Sequence, residues 1–150
     1  MTIFTLLTSV AALVATASLA AITLLHGAWV LGSPLWLDRV IPRTSDAAGG
    51  RPLFVPARGL TGAVTLAFAL LTLLPGLTLG WLPLPPPRMA PTLCLGAAFI
   101  FVVRAIGDFR YCGLFRRIRS TTFARWDARL YTPLCLLLAA CYGLLGVAPN

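Results

Sequence analysis

The chain of 150 residues contains no lysine and no glutamate: its twelve cationic side chains are all arginine and its four anionic ones all aspartate. Charged residues make up 11% of it and hydrophobic ones 59%. A soluble domain carries roughly 25% charge. A soluble chain of this length could not bury so much apolar surface, so the excess must face lipid. The formal net charge of +8 would point to nucleic acid in a soluble protein, but no basic soluble domain is present to carry it. Membrane proteins instead hold their basic residues in cytoplasmic loops. Nucleic-acid binding is therefore set aside. The choice of Arg over Lys, beside abundant Ala, Gly and Pro, reads as codon bias in a GC-rich bacterial genome.

Imidazole and paired thiols are scarce too. The four cysteines, Cys94, Cys112, Cys135 and Cys141, include no CxxC, which argues against a thioredoxin-like or quinone-coupled disulfide centre. Three of them fall in expected spans, where Cys serves as a small apolar side chain. His26 is the one histidine, so a bis-histidine haem cannot form within one chain. No Cys/His spacing suits zinc, and no glycine loop of the usual phosphate-binding pattern occurs. No cofactor and no metal are expected.

What is present is hydrocarbon in four runs. Spans are expected at about residues 3–31, 60–79, 91–106 and 130–147, giving an all-α, antiparallel four-helix transmembrane bundle as a single domain. The first run exceeds a hydrocarbon core of about 30 Å and should tilt or protrude. It lacks the basic start of a signal peptide and is too long for an h-region, so cleavage is not expected. Arg39, Arg43, Arg51 and Arg58 fall between spans one and two. Arg110, Arg116, Arg117, Arg119, Arg125 and Arg129 fall between three and four, with Arg104 at the edge, whereas the connection between two and three holds only Arg88. Positive loops stay inside. Both termini are therefore expected outside and both long loops in the cytoplasm of a bacterial inner-membrane protein. The outer connection, Trp81 to Pro87, reads as a stiff extended clip. Small residues at Ala11/Ala15, Gly59/Ala63/Ala67 and Ala139/Gly143 recur at helix-packing intervals.

Ionisable groups at membrane depth are costly and mark candidate sites. Here they gather at the cytoplasmic ends of the spans. His26 lies one turn before Trp29. Arg104 and Asp108 are spaced i,i+4 and can pair on one helix face. With Thr122–Leu134 read as a helix, Asp127 falls inside the apolar stripe Phe123, Trp126, Leu130, Tyr131, Leu134. A carboxylate there needs a partner, and Arg104, Arg110 and His26 are candidates. One reading makes it a structural lock on helix ends. The other makes it a proton-active or ligand-orienting group. The amphipathic segment Leu114 to Arg119 should lie in the inner interface, as topology control or as a headgroup contact.

Three segments carry a resemblance: Leu25-His26-Gly27-Ala28-Trp29 with Gly32 and Trp36; Gly107-Asp108-Phe109-Arg110-Tyr111-Cys112-Gly113; and Phe123-Ala124-Arg125-Trp126-Asp127 leading into Leu130-Tyr131-Thr132-Pro133-Leu134. Together they make the chain similar, over essentially its whole length, to a bacterial family of small four-span membrane proteins of unknown function. The resemblance implies the four-helix topology and no activity.

The functional expectation is a polar and aromatic pocket at the cytoplasmic end for an amphiphilic, lipid- or isoprenoid-like molecule. Asp127, Asp108 and His26 would supply acid–base chemistry, with Arg104 and Arg110 adding charge. Trp29, Trp36, Phe109, Tyr111, Trp126 and Tyr131 would form an aromatic wall. Acid beside aromatics suits protonation of an alkene or epoxide and stabilisation of a cation. The same residues would serve a non-catalytic lipid binder. A small transporter, in which a homodimer would double the spans, is the alternative, against which no span midpoint carries an ionisable residue. An accessory or structural subunit without chemistry is the other.

Overall fold

The computed structural model describes residues 2–46, 50–85 and 87–148. Regular structure among them is helical: α1 (Ile3–Val30), α2 (Leu37–Val40), α3 (Arg58–Thr78), α4 (Ala90–Ile106), α5 (Thr122–Trp126), a π-helical turn (Asp127–Tyr131) and α6 (Thr132–Gly146). Three helical runs are long and apolar enough to cross a membrane: α1, α3 and the continuous stretch Thr122–Gly146. α4 is apolar but has 17 residues. That is about 26 Å at 1.5 Å per residue.

Local chemistry sets the helix ends. The Thr2 hydroxyl accepts from the Thr5 amide and caps α1. At the other end Gly32, at φ 90°, lets the chain reverse while the Ser33 amide donates to the Ala28 carbonyl. α1 packs on α3, α4 packs on α6, and α1 joins α6 to unite the two pairs. The buried stripe of α1 is Thr8, Ala11, Ala12, Ala15 and Leu19, at the spacing of one helix face. Small side chains there let the neighbouring backbones approach. The expected pair Ala11/Ala15 thus packs inside the molecule. Gly59, Ala63 and Ala67 do not: all three lie on the exposed face of α3.

Two prolines sit inside helices, and each is accommodated by a specific feature. Pro75 of α3 has no N–H for the Leu71 carbonyl four residues back. The fully buried Tyr142 of α6 donates its hydroxyl to that carbonyl at 2.5 Å. In lipid no water could do so. Pro133 was expected in the first turn of a span beginning near residue 130. The helix read over Thr122–Leu134 instead runs on into that span as one stretch, Thr122–Gly146, which places Pro133 well inside it. The π turn immediately before Pro133 absorbs the clash with the preceding turn. Its wide ring has the Thr132 amide donating to the Asp127 carbonyl. The expected apolar stripe does not share one buried face: Phe123 is buried while Trp126 and Leu130 are exposed.

The Trp81–Pro87 segment begins with a turn rather than an extended chain. The Trp81 amide donates to the Gly76 carbonyl, and that of Leu84 to Leu82. Pro86, which belongs to the expected clip, lies outside the described residues, as do Met1, Pro149 and Asn150 at the two ends.

Candidate functional site

α4 ends at Gly107, whose φ of 85° is open to glycine and strained for other residues. A tight loop follows, and Gly113 (φ 84°) closes it against Gly107. A Cβ on Gly107 would stand 2.0 Å from the Cys112 carbonyl oxygen, and one on Gly113 would stand 2.3 Å from that of Ile106. The Leu114 amide then donates to Ala105 at 2.8 Å and returns the chain to α4.

Two carboxylates organise this loop. Asp108 Oδ1 accepts the amides of Arg110, Tyr111 and Cys112 at 2.9, 2.7 and 2.9 Å. Desolvation pushes this carboxyl up, but the three amides together outweigh it and hold it below its ordinary value. The next amide, of Gly113, goes to Asp127 Oδ2 at 2.7 Å. Asp127 is completely buried. Its Oδ2 also accepts Thr132 Oγ1 at 3.1 Å and Arg116 Nη1 at 3.3 Å, and its Oδ1 accepts Arg104 Nη2 at 2.8 Å. Arg116 Nη1 further donates to the Gly113 carbonyl at 2.6 Å. The expected Arg104–Asp108 pair does not form. Gly107 ends the helix between them, so Asp108 turns onto its own loop and Arg104 reaches across to Asp127. Of the partners anticipated for Asp127, Arg104 is present, while Arg110 stacks on the Tyr111 ring at 5.3 Å and His26 stays on α1.

A second set of contacts ties the loop after α1 to α5. Asp46 Oδ2 accepts the Thr122 amide at 2.6 Å and its hydroxyl at 2.8 Å, capping α5 from across the molecule. The Arg39 guanidinium lies 6.0 Å from the Trp36 ring and 5.3 Å from Trp126, while its carbonyl accepts the Tyr131 hydroxyl at 3.4 Å. Trp36 is held at φ 60°. His26 Nδ1 donates to the Ile22 carbonyl at 2.9 Å, and its ring packs against Trp29 at 4.6 Å and Phe68 at 5.1 Å. Trp29 Nε1 donates to Leu35 at 2.7 Å. Phe109, at φ 61°, stacks on Phe115 at 6.0 Å.

The sequence-derived residues therefore share one end of the molecule but divide into separate groups. His26 and Trp29 stand on α1. Trp36, Trp126 and Tyr131 gather around Arg39. Arg104 and Asp127 form a buried hub, and Asp108, Phe109, Arg110 and Tyr111 form the loop. A cleft of about 370 Å³ opens beside the first group, between the end of α1, α2 and the start of α3. Leu37, Ile41, Phe54 and Val55 give it apolar walls, and Trp29, Asp38, Arg43 and Arg58 also line it. Arg43 Nη2 donates to the Gly50 carbonyl at 2.6 Å. Among the described residues no three metal-ligating side chains converge, so no residue set is assigned to a metal.

Residues 19–142, which include every group just described and leave out the first half of α1 and the end of α6, match a family model described as a protein of unknown function, DUF3995. The chain belongs to the DUF3995 family. No curated protein and no solved structure matches it. Sequence reasoning on this DUF3995 chain missed Arg116, Thr132, Gly113 and Asp46 as carboxylate partners, and Asp38, Arg43 and Arg58 as cleft residues. Only Thr132 carried a readable signal. Pro133 inside a helix calls for a wider turn, and that turn brings residues 127 and 132 onto one side. The arginines are indistinguishable by sequence from topology signals.

Proposed function

We propose that this is a four-span, antiparallel bacterial inner-membrane protein that binds an amphiphilic small molecule in the cleft at its cytoplasmic end. α4 is the fourth span in this reading. It is short enough to need local thinning of the bilayer. The arginine distribution puts both termini outside and the loops of residues 31–57 and 107–121 inside.

One observation carries the reading. Asp38 and Arg58 line an apolar-walled cleft and make no hydrogen bond or ion pair among the described residues. Free charges against hydrocarbon walls suit a ligand with a polar head and a greasy body. Two arginines against one aspartate favour an anionic head, a phosphate or carboxylate, met by guanidinium donors. Asp127 and Asp108 are each occupied by several donors, and neither lines this cleft. The reading is accordingly one of binding, with acid–base turnover at those aspartates secondary.

The test is native mass spectrometry of the protein released from membranes, with retained small molecules identified. Dodecyl phosphate should displace the retained species and dodecyltrimethylammonium should not. Arg58→Gln should lose the species while keeping its fold. Retention that ignores Arg58 and both detergents would end the proposal. A second reading, an accessory subunit or homodimer with no chemistry of its own, is favoured by the exposed Gly59/Ala63/Ala67 edge of α3. The same spectra, through the mass of the assembly, test it.

A further inference from the structure

The amphiphile cleft leaves the loop of residues 107–119 without a role, yet that loop is the most tightly built irregular segment of the molecule. We infer that its tip is a rigid aromatic blade that seats in the anionic headgroup layer of the cytoplasmic leaflet.

The tip consists of Phe109 and Phe115, whose rings stack at 6.0 Å with an interplanar angle of 23°. They are 58% and 59% exposed, and Leu114 beside them is 50% exposed. Three adjacent apolar side chains directed outward are the opposite of what a loop in water conserves in free energy. The backbone makes the arrangement more pointed. Phe109 stands at φ 61°, a conformation that Gly or Asn adopts readily and a bulky aromatic residue adopts at a cost. The surrounding structure overrides that cost. Asp108 holds the amides of Arg110, Tyr111 and Cys112, Asp127 holds that of Gly113, and the arms close where Gly107 meets Gly113. An aromatic ring held outward at a strained position by a loop whose next four amides are all bonded to carboxylates points to a surface that meets something.

Charge identifies the occupant. Arg110, Arg117 and Arg119 of the same loop are exposed, and the Arg117 amide donates to the Arg110 carbonyl, which brings the two ends of the loop together. Asp108, the one acid between residues 107 and 121, has Oδ1 turned onto backbone amides. The face is therefore cationic with an apolar centre. That pattern matches an anionic lipid interface, where arginines lie at the phosphates and aromatic rings lie just beneath. A topology signal alone needs the arginines but not the strained, paired rings.

The test uses the full chain in vesicles, with 4-trifluoromethylphenylalanine at position 109, a near-isosteric label, and in a second sample at position 115. Fluorine relaxation is read with a nitroxide placed on shallow lipid acyl carbons and, separately, with a water-soluble nickel chelate. In vesicles of phosphatidylcholine with phosphatidylglycerol, the lipid nitroxide should be the stronger relaxer at both positions. In pure phosphatidylcholine, or with Arg117→Gln and Arg119→Gln combined, the balance should move toward the aqueous chelate. Stronger relaxation by the chelate in anionic vesicles would place the rings in water and overturn the inference. Weak relaxation by both would mean that protein covers the rings, and would overturn it too. Equal immersion in neutral and anionic vesicles would refute the charge recognition.

Discussion

Replacing Asp127 by asparagine keeps the side-chain volume and removes the charge. Four donors converge on the native carboxylate, three on Oδ2 and Arg104 alone on Oδ1. Asparagine offers one acceptor oxygen and one two-donor nitrogen. With its oxygen on the Oδ2 side it keeps Gly113, Thr132 and Arg116 but points N–H groups at Arg104. The opposite flip loses three contacts to save one. Either way two guanidiniums lose their counter-charge. Removing one partner of a buried ion pair costs about 3–5 kcal/mol. Arg104 is 35% exposed and rehydrates in part, whereas Arg116 is 13% exposed and does not. The low end follows, about 3 kcal/mol, which is a large share of a total stability of about 5–15 kcal/mol. The assay is reversible unfolding in mixed micelles followed by circular dichroism, with hydrogen exchange at the Gly113 amide as the local readout. A cycle with Arg104→Met should show a coupling of at least about 1 kcal/mol, because the two groups touch. An Asp127→Asn protein within about 0.5 kcal/mol of the parent, the range of an uninvolved surface position, would refute the hub. If that variant also lost its bound small molecule, Asp127 would belong to a site and not to a lock.

Tyr142→Phe should cost about 1–3 kcal/mol by leaving the Leu71 carbonyl without a donor; in a Pro75→Ala background, where the backbone amide is restored, the same change should cost much less, and an unchanged cost would break the link between the two residues. Gly107→Ala and Gly113→Ala should each abolish the yield of folded protein, since the added methyl would overlap backbone atoms at 2.0 and 2.3 Å, whereas Gly59→Ala, with open space around it, should be silent in the same expression and unfolding assay. Phe109→Gly should raise stability, by up to about 1 kcal/mol from relief of the left-handed conformation, less what the ring stack contributes; a loss would show that the ring, not the backbone, dominates. Protonation of Asp108 is tested by amide exchange: because three amides outweigh burial and hold its carboxyl below the usual 3.8, its contribution is complete above that value and is lost only as pH falls through the lower folded value. Protection at Arg110, Tyr111 and Cys112 should therefore persist at about pH 4 and collapse in stronger acid, and collapse at or above the ordinary carboxylate range would contradict the geometry.

The apolar runs and the clustering of ionisable groups at one end were legible because both are one-dimensional: a run of hydrocarbon is visible residue by residue, and arginines count themselves. What was not legible depended on which residues the chain brings together across the fold. The helix over Thr122–Leu134 was legible from its apolar stripe, but its continuity with the last span was not, because Thr121 to Arg129 is rich in polar residues. The helix start is capped locally by Thr121, whose hydroxyl accepts the Ala124 amide, and the added bonds from Asp46 to Thr122 come from a residue distant in sequence. The i,i+4 spacing of Arg104 and Asp108 suggested a pair and was defeated by one glycine between them. Pro75 announced an orphaned carbonyl in α3, but nothing nearby in the sequence announced Tyr142.

The four aspartates of the chain now divide in a way that bears on function. Asp46, Asp108 and Asp127 each accept at least one backbone amide, those of Thr122, of residues 110–112 and of Gly113. Because an unbonded buried amide is expensive, such carboxylates are used up by holding the chain in place. Of the three, Asp108 would be a poor proton donor, because its backbone amides outweigh desolvation and hold the carboxyl below its ordinary value. Asp38 alone among the four makes no hydrogen bond or ion pair with the described residues, and it lines the cleft with Arg43 and Arg58. The sequence left Asp127 open between a structural lock and a proton-active group and named Asp108 and His26 beside it. In the cleft reading proposed above, the exposed Asp38 is the acid left to face a ligand.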